Sequence, residues 1–60
     1  MILRRAADLM VSDNVRLDDR LWNIEKLVWV EGRLTLHLSR KAGDKTELEL
    51  WSDDMVLLAI

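Results

Sequence analysis

The stretch Leu21–Ser39 reads LWNIEKLVWVEGRLTLHLS and contains two strand-like runs joined at Glu31-Gly32. In the second run, Leu34, Leu36 and Leu38 alternate with polar residues, which is the period of two expected for a strand with one buried and one exposed face. A glycine between two such runs is typical of a hairpin turn. The stretch therefore predicts a β-hairpin, and we expect the remaining segments to extend its sheet.

The first arm of this hairpin changes its alternation in the middle. Trp22 and Ile24 share one face, whereas residues 27–30 are all apolar with no polar residue between them. A β-bulge near Glu25-Lys26 accounts for this change, because one extra residue shifts the faces of a strand and bends it. We expect the strand beyond the bulge to be buried on both faces. The alternative is a regular strand with an exposed apolar rim.

Three further segments have the composition of short strands and lie between polar turns. Asp, Asn, Ser and Gly are common in such turns because they tolerate turn conformations or satisfy local backbone donors. The predicted strands span residues 15–17, 46–51 and 55–60, and the turns span residues 12–14, 18–20, 40–45 and 52–54. With the two arms of the hairpin, these segments give five strands.

The last two strands carry specific expectations for burial. In the fourth strand Leu48 and Leu50 face the core, which puts Trp51 on the exposed side together with the two glutamates of that strand. The last strand, residues 55–60, has no polar residue. We expect both of its faces to be covered, either by the barrel itself or by another chain.

Residues 2–10 precede the first polar turn and have apolar residues at spacings of three and four. This spacing fits a helical turn or two, and the alternative is an extended lead-in strand. We favour a short turn around Ala6 to Leu9.

Length, charge and cysteine content limit the functions open to the chain. Its 60 residues predict one domain, residues 1–60, which buries only about 60% of the surface that the unfolded chain exposes, so burial against a partner would stabilise it. Cysteine is absent, which removes disulfides and thiolate metal sites and indicates the cytoplasm. The net charge of −2 counts against a general phosphate-binding role, and no apolar run approaches the ~20 residues of a membrane helix.

Short strands, polar turns and the lack of a helix of ordinary length predict an all-β fold. We expect a small antiparallel five-stranded barrel with a short N-terminal turn or extension. Residues 7–9, residues 12–17 and residues 21–24, with a Val-rich strand and a Gly turn after them, resemble the Src-homology-3-like small barrels, in particular the first domain of bacterial elongation factor P and short uncharacterised actinobacterial and actinophage proteins. Ser12 stands where these barrels usually have Gly, so we do not expect a left-handed backbone there.

The sequence indicates no catalytic, cofactor or metal site. His37 is the only histidine and has no second His or Cys with which to share a metal ion. The pairs Asp18-Asp19 and Asp53-Asp54 fall where turns need local acceptors, without a nucleophile or matched ligand spacing nearby. A barrel of this size is also filled by its own side chains. We therefore expect a protein that is not an enzyme and that takes no cofactor or small-molecule substrate.

The three tryptophans carry the main functional prediction. Trp22 is assigned to the core, whereas Trp29 and Trp51 cannot both face inward without breaking the alternation of their strands. Exposed Trp, Met and aliphatic groups are typical of protein interfaces. We predict a protein-interaction module that self-associates as a homodimer, or docks on a partner protein, through Trp29, Trp51, Met55 and Leu57. The alternative is that the last strand simply covers these residues.

A basic loop supports a second function, from a different class. Arg40, Lys41 and Lys45 follow the hairpin, and with an aromatic such as Trp51 they could form a small nucleic-acid platform of stacking and phosphate contacts. The resemblance to translation factors implies the same activity. The alternative is a solvated loop, and acidic residues elsewhere on the surface would repel a phosphate backbone. Nucleic acid is therefore the second choice of partner, after protein.

Overall fold

A computed structural model describes residues 2–59 as one antiparallel sheet of six strands with a single 3-10 turn. The strands lie in the order β1-β6-β2-β3-β4-β5, so a four-strand meander is extended by the last strand and then by the first. The elements are β1 (Ile2–Arg5), the 3-10 turn (Ala6–Asp8), β2 (Asn14–Leu17), β3 (Arg20–Val30), β4 (Arg33–Ser39), β5 (Lys45–Trp51) and β6 (Met55–Leu58).

The all-β, antiparallel architecture is confirmed, but the predicted five-stranded barrel is not what forms. The sixth strand is the N-terminal segment, which pairs with β6 from Ile2↔Leu58 to Arg5↔Met55, so the lead-in strand and the short turn both exist. Within residues 2–59 no ladder joins β1 to β5, and the sheet is therefore not closed into a barrel. The first strand ends at Arg5, and the 3-10 turn Ala6–Asp8 follows it directly.

Two backbone hydrogen bonds hold this 3-10 turn against the loop between β5 and β6. Ala6 N donates to Asp54 O at 2.8 Å, and Ala7 N donates to Ser52 O at 3.3 Å. The side chains of Ala6 and Leu9 are buried in the core cluster. The segment after β1 thus contributes two side chains to the core. It lies against the loop that joins β5 to β6, two strands that do not pair with each other.

The predicted bulge in β3 is confirmed. The register between β3 and β4 shifts between Ile24 and Lys26, and the pairs beyond it run regularly to Val30↔Arg33. The expectation that this part of β3 is buried on both faces is wrong. Trp29 is 44% exposed and Val30 is 61% exposed, because the single open sheet of residues 2–59 places no second layer over the end of the hairpin.

The core lies on the inner face of the sheet, where the alternation of β4 is strictest. Leu34, Leu36 and Leu38 are all buried, as predicted. The other buried residues are Ala6, Leu9, Val15, Trp22, Ile24, Val56 and Leu58, with Leu17, Leu27, Leu48 and Leu50 packed partly buried against them. Trp22 is therefore a core residue, as the sequence predicts.

The last strand is covered on one face only. Val56 and Leu58 point into the core, whereas Met55 on the outer face is 51% exposed and Leu57 is half-buried. The expectation that both faces are covered is therefore wrong for the part of the chain that the structure describes, because residues 2–59 form a single sheet with no second layer on its outer side. The predicted extension of this strand to Ile60 lies outside the described residues.

Two tight turns set the registers of the meander. Asp18 and Asp19 have φ of 54° and 60°, and Glu31 and Gly32 have φ of 50° and 79°. Positive φ at both central residues is the pattern of type I′ turns, whose twist matches that of paired strands. Each turn fixes the pairing of the strands that flank it.

Ser12 adopts the left-handed conformation that the sequence did not lead us to expect. Its φ is 79°, and it occupies a turn in which Asp13 N donates to Met10 O at 3.1 Å. The turn is held from outside, because Ser12 N donates to Ile24 O and Ile24 N donates to Asp13 O, each at 2.9 Å. These bonds to β3 outweigh the steric cost of a Cβ in this conformation.

Ser12→Gly is expected to raise the free energy of unfolding by about 0.5–1 kcal/mol, because glycine has no Cβ penalty at positive φ and this gain exceeds the added freedom of the unfolded chain. Urea denaturation followed by circular dichroism measures the change. Ser39→Gly, in the extended backbone of β4, is the matched control and should lower stability by about the same amount. A loss of stability in both variants would contradict the strain assigned to Ser12.

Candidate interaction surfaces

Trp51 lies on the outer face of the sheet, on the side that the alternation of β5 predicts. The register places it opposite Arg33, and Arg33 opposite Val30, so the three residues form one row across β5, β4 and β3. The tryptophan is 58% exposed and the valine 61%. An indole and an aliphatic side chain are therefore both presented to solvent on this row.

The side chain of Arg33 is held between two partners on β5. Its guanidinium carbon lies 4.9 Å from the centroid of the Trp51 ring, and its Nη2 lies 2.5 Å from Glu49 Oε2. The first contact is a cation–π interaction and the second an ion pair across the strands. Val28, which pairs with Thr35 and is half-buried, lies on the same face two residues before Val30. We call Val28, Val30, Arg33 and Trp51 the Trp51 surface.

Trp29 is exposed as well, but it does not belong to this surface. Its register partner is the buried Leu34, so it lies on the inner face, at the end of the core, while Trp51 lies on the outer face. The sequence grouped the two indoles in one predicted interface. The structure places them on opposite faces, because they fall in rows that are one residue apart.

Met55 and Leu57 share the outer side of the sheet with Trp51, although on different strands. Met55 pairs with Arg5 and Leu57 pairs with Leu3, so they form an apolar strip on β6 and β1. Strands β5 and β6 are not hydrogen-bonded neighbours, and only the turn at residues 52–54 links Trp51 to Met55. That turn is capped by Asp54, whose Oδ2 accepts a hydrogen bond of 2.7 Å from Trp51 N.

The basic residues of the β4–β5 loop do not converge on Trp51. Lys45 and Trp51 stand at opposite ends of the seven-residue strand β5, about 20 Å apart along it. Arg40 lies over a different indole, with its guanidinium carbon 5.4 Å from the centroid of the Trp22 ring. The predicted platform of Arg40, Lys41 and Lys45 with Trp51 is therefore not formed.

Carboxylates engage two of these three basic side chains. Arg40 Nη1 lies 2.9 Å from Asp44 Oδ2, and Lys45 Nζ lies 3.8 Å from Glu25 Oε1. Lys41 is exposed to solvent. The cationic character of the loop is thus weaker than its sequence indicates.

An open groove of about 970 Å³ runs beside this loop and contains residues that the sequence analysis missed. Arg20 lines it together with Arg40 and Lys41. Three polar side chains on neighbouring strands also line it, since Asn14 pairs with Asn23 and Asn23 pairs with Ser39. The Asp18-Asp19 turn sets the pairing of Asn14 with Asn23, and the Glu31-Gly32 turn together with the bulge in β3 sets the pairing of Asn23 with Ser39.

The remaining polar candidates lie in turns or beside a neighbouring strand. Asp18 and Asp19 form a type I′ turn, and Asp54 caps its own turn, so both aspartate pairs have the structural role that the sequence predicts. His37 Nδ1 lies 3.5 Å from Glu47 Oε2 on the outer face. Within residues 2–59, no group of three or more His, Cys, Asp or Glu side chains is placed to hold a metal ion.

Over the same described residues, none of the helical structure is long and apolar enough to cross a membrane. Comparisons with protein-family models, with curated proteins and with solved structures found no match to this chain.

Proposed function

We propose that this chain is a non-enzymatic protein-interaction module that binds through the Trp51 surface. The observation that carries the proposal is an exposed indole stacked on an arginine beside an exposed valine, all on the outer face of the sheet. Tryptophan and arginine are the residue types most enriched among those that dominate binding energy. A surface of this composition is suited to the centre of a protein interface.

The geometry of Arg33 favours binding because its side chain is already ordered. Glu49 and the Trp51 ring hold the guanidinium from two sides, so less side-chain entropy is lost when a partner covers it. The cation–π contact would also strengthen on desolvation, because the ring and the guanidinium would lose water together. The Arg33 side chain is thus already ordered in the monomer, before a partner binds.

Self-association is the simplest use of this face, because the face is electrostatically self-complementary. Lys26 and Arg33 supply positive charge, and Glu47 and Glu49 supply negative charge, on the same outer side of the sheet. A two-fold axis through such a face can bring each sign against the other. We therefore propose a homodimer, with a partner protein of similar surface as the alternative.

Sedimentation equilibrium at micromolar concentrations tests this proposal. We expect a reversible monomer–dimer equilibrium that persists at high salt, because the apolar row dominates the contact and only the charges around it are screened. A strictly monomeric species at every concentration would contradict self-association. Retention of a partner protein from the source cell would then separate docking on another protein from the absence of any interaction.

We also propose that the sheet is a relative of the Src-homology-3-like small barrels. The support is the strand order, in which a meander of β2 to β5 is followed by a last strand paired with β2. The left-handed Ser12, at the position where those barrels usually have Gly, is consistent with it. On this view the sheet is a barrel left open between its first strand and β5.

A second candidate function, nucleic-acid binding, is favoured by the groove beside the β4–β5 loop. The groove is lined by Arg20, Arg40 and Lys41 together with Asn14, Asn23 and Ser39. The amides and the hydroxyl can donate hydrogen bonds to, and accept them from, sugar or base groups. Asp19 also lines the groove and opposes binding of a polyanion. We rank this function second because the chain has a net charge of −2.

Arg20→Ala combined with Lys41→Ala tests the groove. If a mixed-sequence RNA or DNA binds there, the double variant should lower the slope of log affinity against log salt by about 2, one for each lost phosphate contact. Fluorescence anisotropy at several salt concentrations measures the slope. Lys26→Ala with Lys45→Ala removes the same charge outside the groove and is the control. If the unmodified protein retains neither nucleic acid at low salt, this function is excluded.

A further inference from the structure

Strand β5 forms one edge of the sheet along its whole length. It pairs with β4 on one side, from Arg33↔Trp51 to Ser39↔Lys45, and within residues 2–59 no strand pairs with its other side. The extended backbone of residues 45–50 is therefore presented at this edge, whereas Trp51 N donates to Asp54 Oδ2 and Trp51 O accepts from Asp54 N. The opposite edge, β1, offers only four residues.

The core is also incomplete along this edge. Leu34 and Leu36 on β4 are 0% exposed, whereas their register partners on β5, Leu50 and Leu48, are only partly buried. Apolar side chains at the rim of a core gain free energy when a further layer removes them from water. An added strand with aliphatic side chains on its inner face would supply that layer.

The outer face of the same edge is acidic. Glu47 and Glu49 stand two residues apart and point the same way, and their side chains are 64% and 61% exposed. Their ion-pair partners, His37 and Arg33, both come from β4, on the side away from the edge. A strand beside β5 would therefore meet two carboxylates at the spacing of alternate strand residues.

These charges oppose pairing of β5 with a second copy of itself. In the antiparallel register that uses the whole strand, Leu48 faces its own copy, and each Glu47 then lies opposite the Glu49 of the other chain. Like charges directly opposite each other destabilise a pair of strands. Pairing of β5 with β5 of a second chain is therefore unfavourable, and pairing with a positively charged strand is favoured.

We propose that β5 binds an extended segment of a partner protein in which basic and aliphatic residues alternate. The segment adds a seventh strand, with its backbone hydrogen-bonded to β5, its aliphatic side chains over Leu48 and Leu50, and its basic side chains against Glu47 and Glu49. This site is the edge of the sheet, whereas the row of Val30, Arg33 and Trp51 lies on the outer face; the two sites share the charges of Glu47 and Glu49.

The probe is an acetylated and amidated heptapeptide, Thr-Val-Lys-Val-Lys-Val-Thr. Its pattern reads the same in both directions, so it places lysines opposite the two glutamates in a parallel or an antiparallel arrangement. NMR titration of the full chain, labelled with nitrogen-15, should show shifts of the amides of β5, residues 45–51. The peptide with glutamate in place of lysine is expected to cause none. Absence of any shift with the lysine peptide would overturn the proposal.

N-methylation separates strand addition from simple attraction of charge. Alternate amides of a bound strand face its neighbour and the others face away, so methylating either the valines or the lysines gives two peptides of identical charge. One of the two should fail to bind while the other still binds. Equal binding of both would contradict a backbone ladder.

Two charge-matched double variants test whether Glu47 and Glu49 contact the lysines of the peptide. Glu47→Gln with Glu49→Gln should weaken peptide binding by about tenfold, since two charge pairs are lost. Asp18→Asn with Asp19→Gly removes the same two charges at the type I′ turn, where Asn-Gly is the preferred sequence, and should leave binding unchanged. Equal weakening by both pairs would overturn the site. The dimer is measured separately by sedimentation, so either proposal can fail alone.

Discussion

Replacing Trp22 with Ala is expected to unfold the domain. Removing a buried aromatic side chain costs about 3–5 kcal/mol, and a chain of this length has about 3–9 kcal/mol of stability in total. Trp22 is 9% exposed and its indole packs in the core cluster opposite Val15 of β2. The neighbouring strands cannot collapse into the space left behind, because their registers are fixed by the turns that flank them.

A conservative variant separates the volume of this side chain from its polarity. The Nε1 atom of Trp22 is buried without a hydrogen-bond partner, and an unsatisfied buried donor costs about 1–3 kcal/mol. Trp22→Phe removes that donor and keeps most of the ring, so we expect a much smaller loss of stability than for Trp22→Ala. Arg40, which lies over the indole, can retain its contact with the smaller ring.

Far-ultraviolet circular dichroism and urea denaturation distinguish these cases. Trp22→Ala should show little cooperative transition at 25 °C, while Trp22→Phe should unfold cooperatively near the midpoint of the unmodified chain. A Trp22→Ala variant that folds with nearly unchanged stability would contradict the assignment of this indole to the core.

The parts of this structure that follow from sequence are those governed by short-range periodicity. The β3–β4 hairpin, the bulge after Ile24 and the outward direction of Trp51 all follow from a period of two and its interruption. These features depend only on neighbours in the chain, because a side chain two residues away must point the same way. The candidate Trp51 surface could therefore be predicted in part.

Features that depend on distant segments could not be predicted in this way. Ile2–Arg5 has a pattern compatible with a turn or a strand, and its pairing with β6 across the length of the chain decides for the strand. Ser12 is held left-handed by hydrogen bonds that involve Ile24, which its own neighbours in sequence do not reveal. The exposure of Val30 follows from the sheet remaining open, which is a property of the whole fold.

The residues that line the groove beside the β4–β5 loop could likewise be predicted only in part. Arg40 and Lys41 stand out in sequence as a pair, but Arg20 joins them only through the register of β2, β3 and β4. Lys45 follows closely in sequence, yet it lies by Glu25 and lines a different groove. The sequence therefore identified Arg40 and Lys41, which are adjacent in the chain. Arg20 could not be identified, because only the pairing of strands brings it to the groove.

Trp51→Ala is expected to leave the fold intact and to weaken the proposed dimer by about 2 kcal/mol, or about 30-fold in the dissociation constant. The indole is 58% exposed, so the monomer loses little buried area. It also loses the contact with Arg33, which contributes about 0.5–1 kcal/mol at an exposed site. Sedimentation equilibrium gives the dissociation constant, and urea denaturation gives the stability of the monomer.

Trp29→Ala is the matched control, because it removes the second exposed indole from the opposite face of the same sheet. Trp29 is 44% exposed, compared with 58% for Trp51, but it pairs with the buried Leu34 and so lies on the inner face. This variant should lower the stability of the monomer somewhat and leave the dissociation constant unchanged. If Trp29→Ala weakens the dimer while Trp51→Ala does not, the interface lies on the inner face at the end of the core. If Trp51→Ala unfolds the chain as fully as Trp22→Ala, Trp51 belongs to the core and the register of β5 is displaced by one residue.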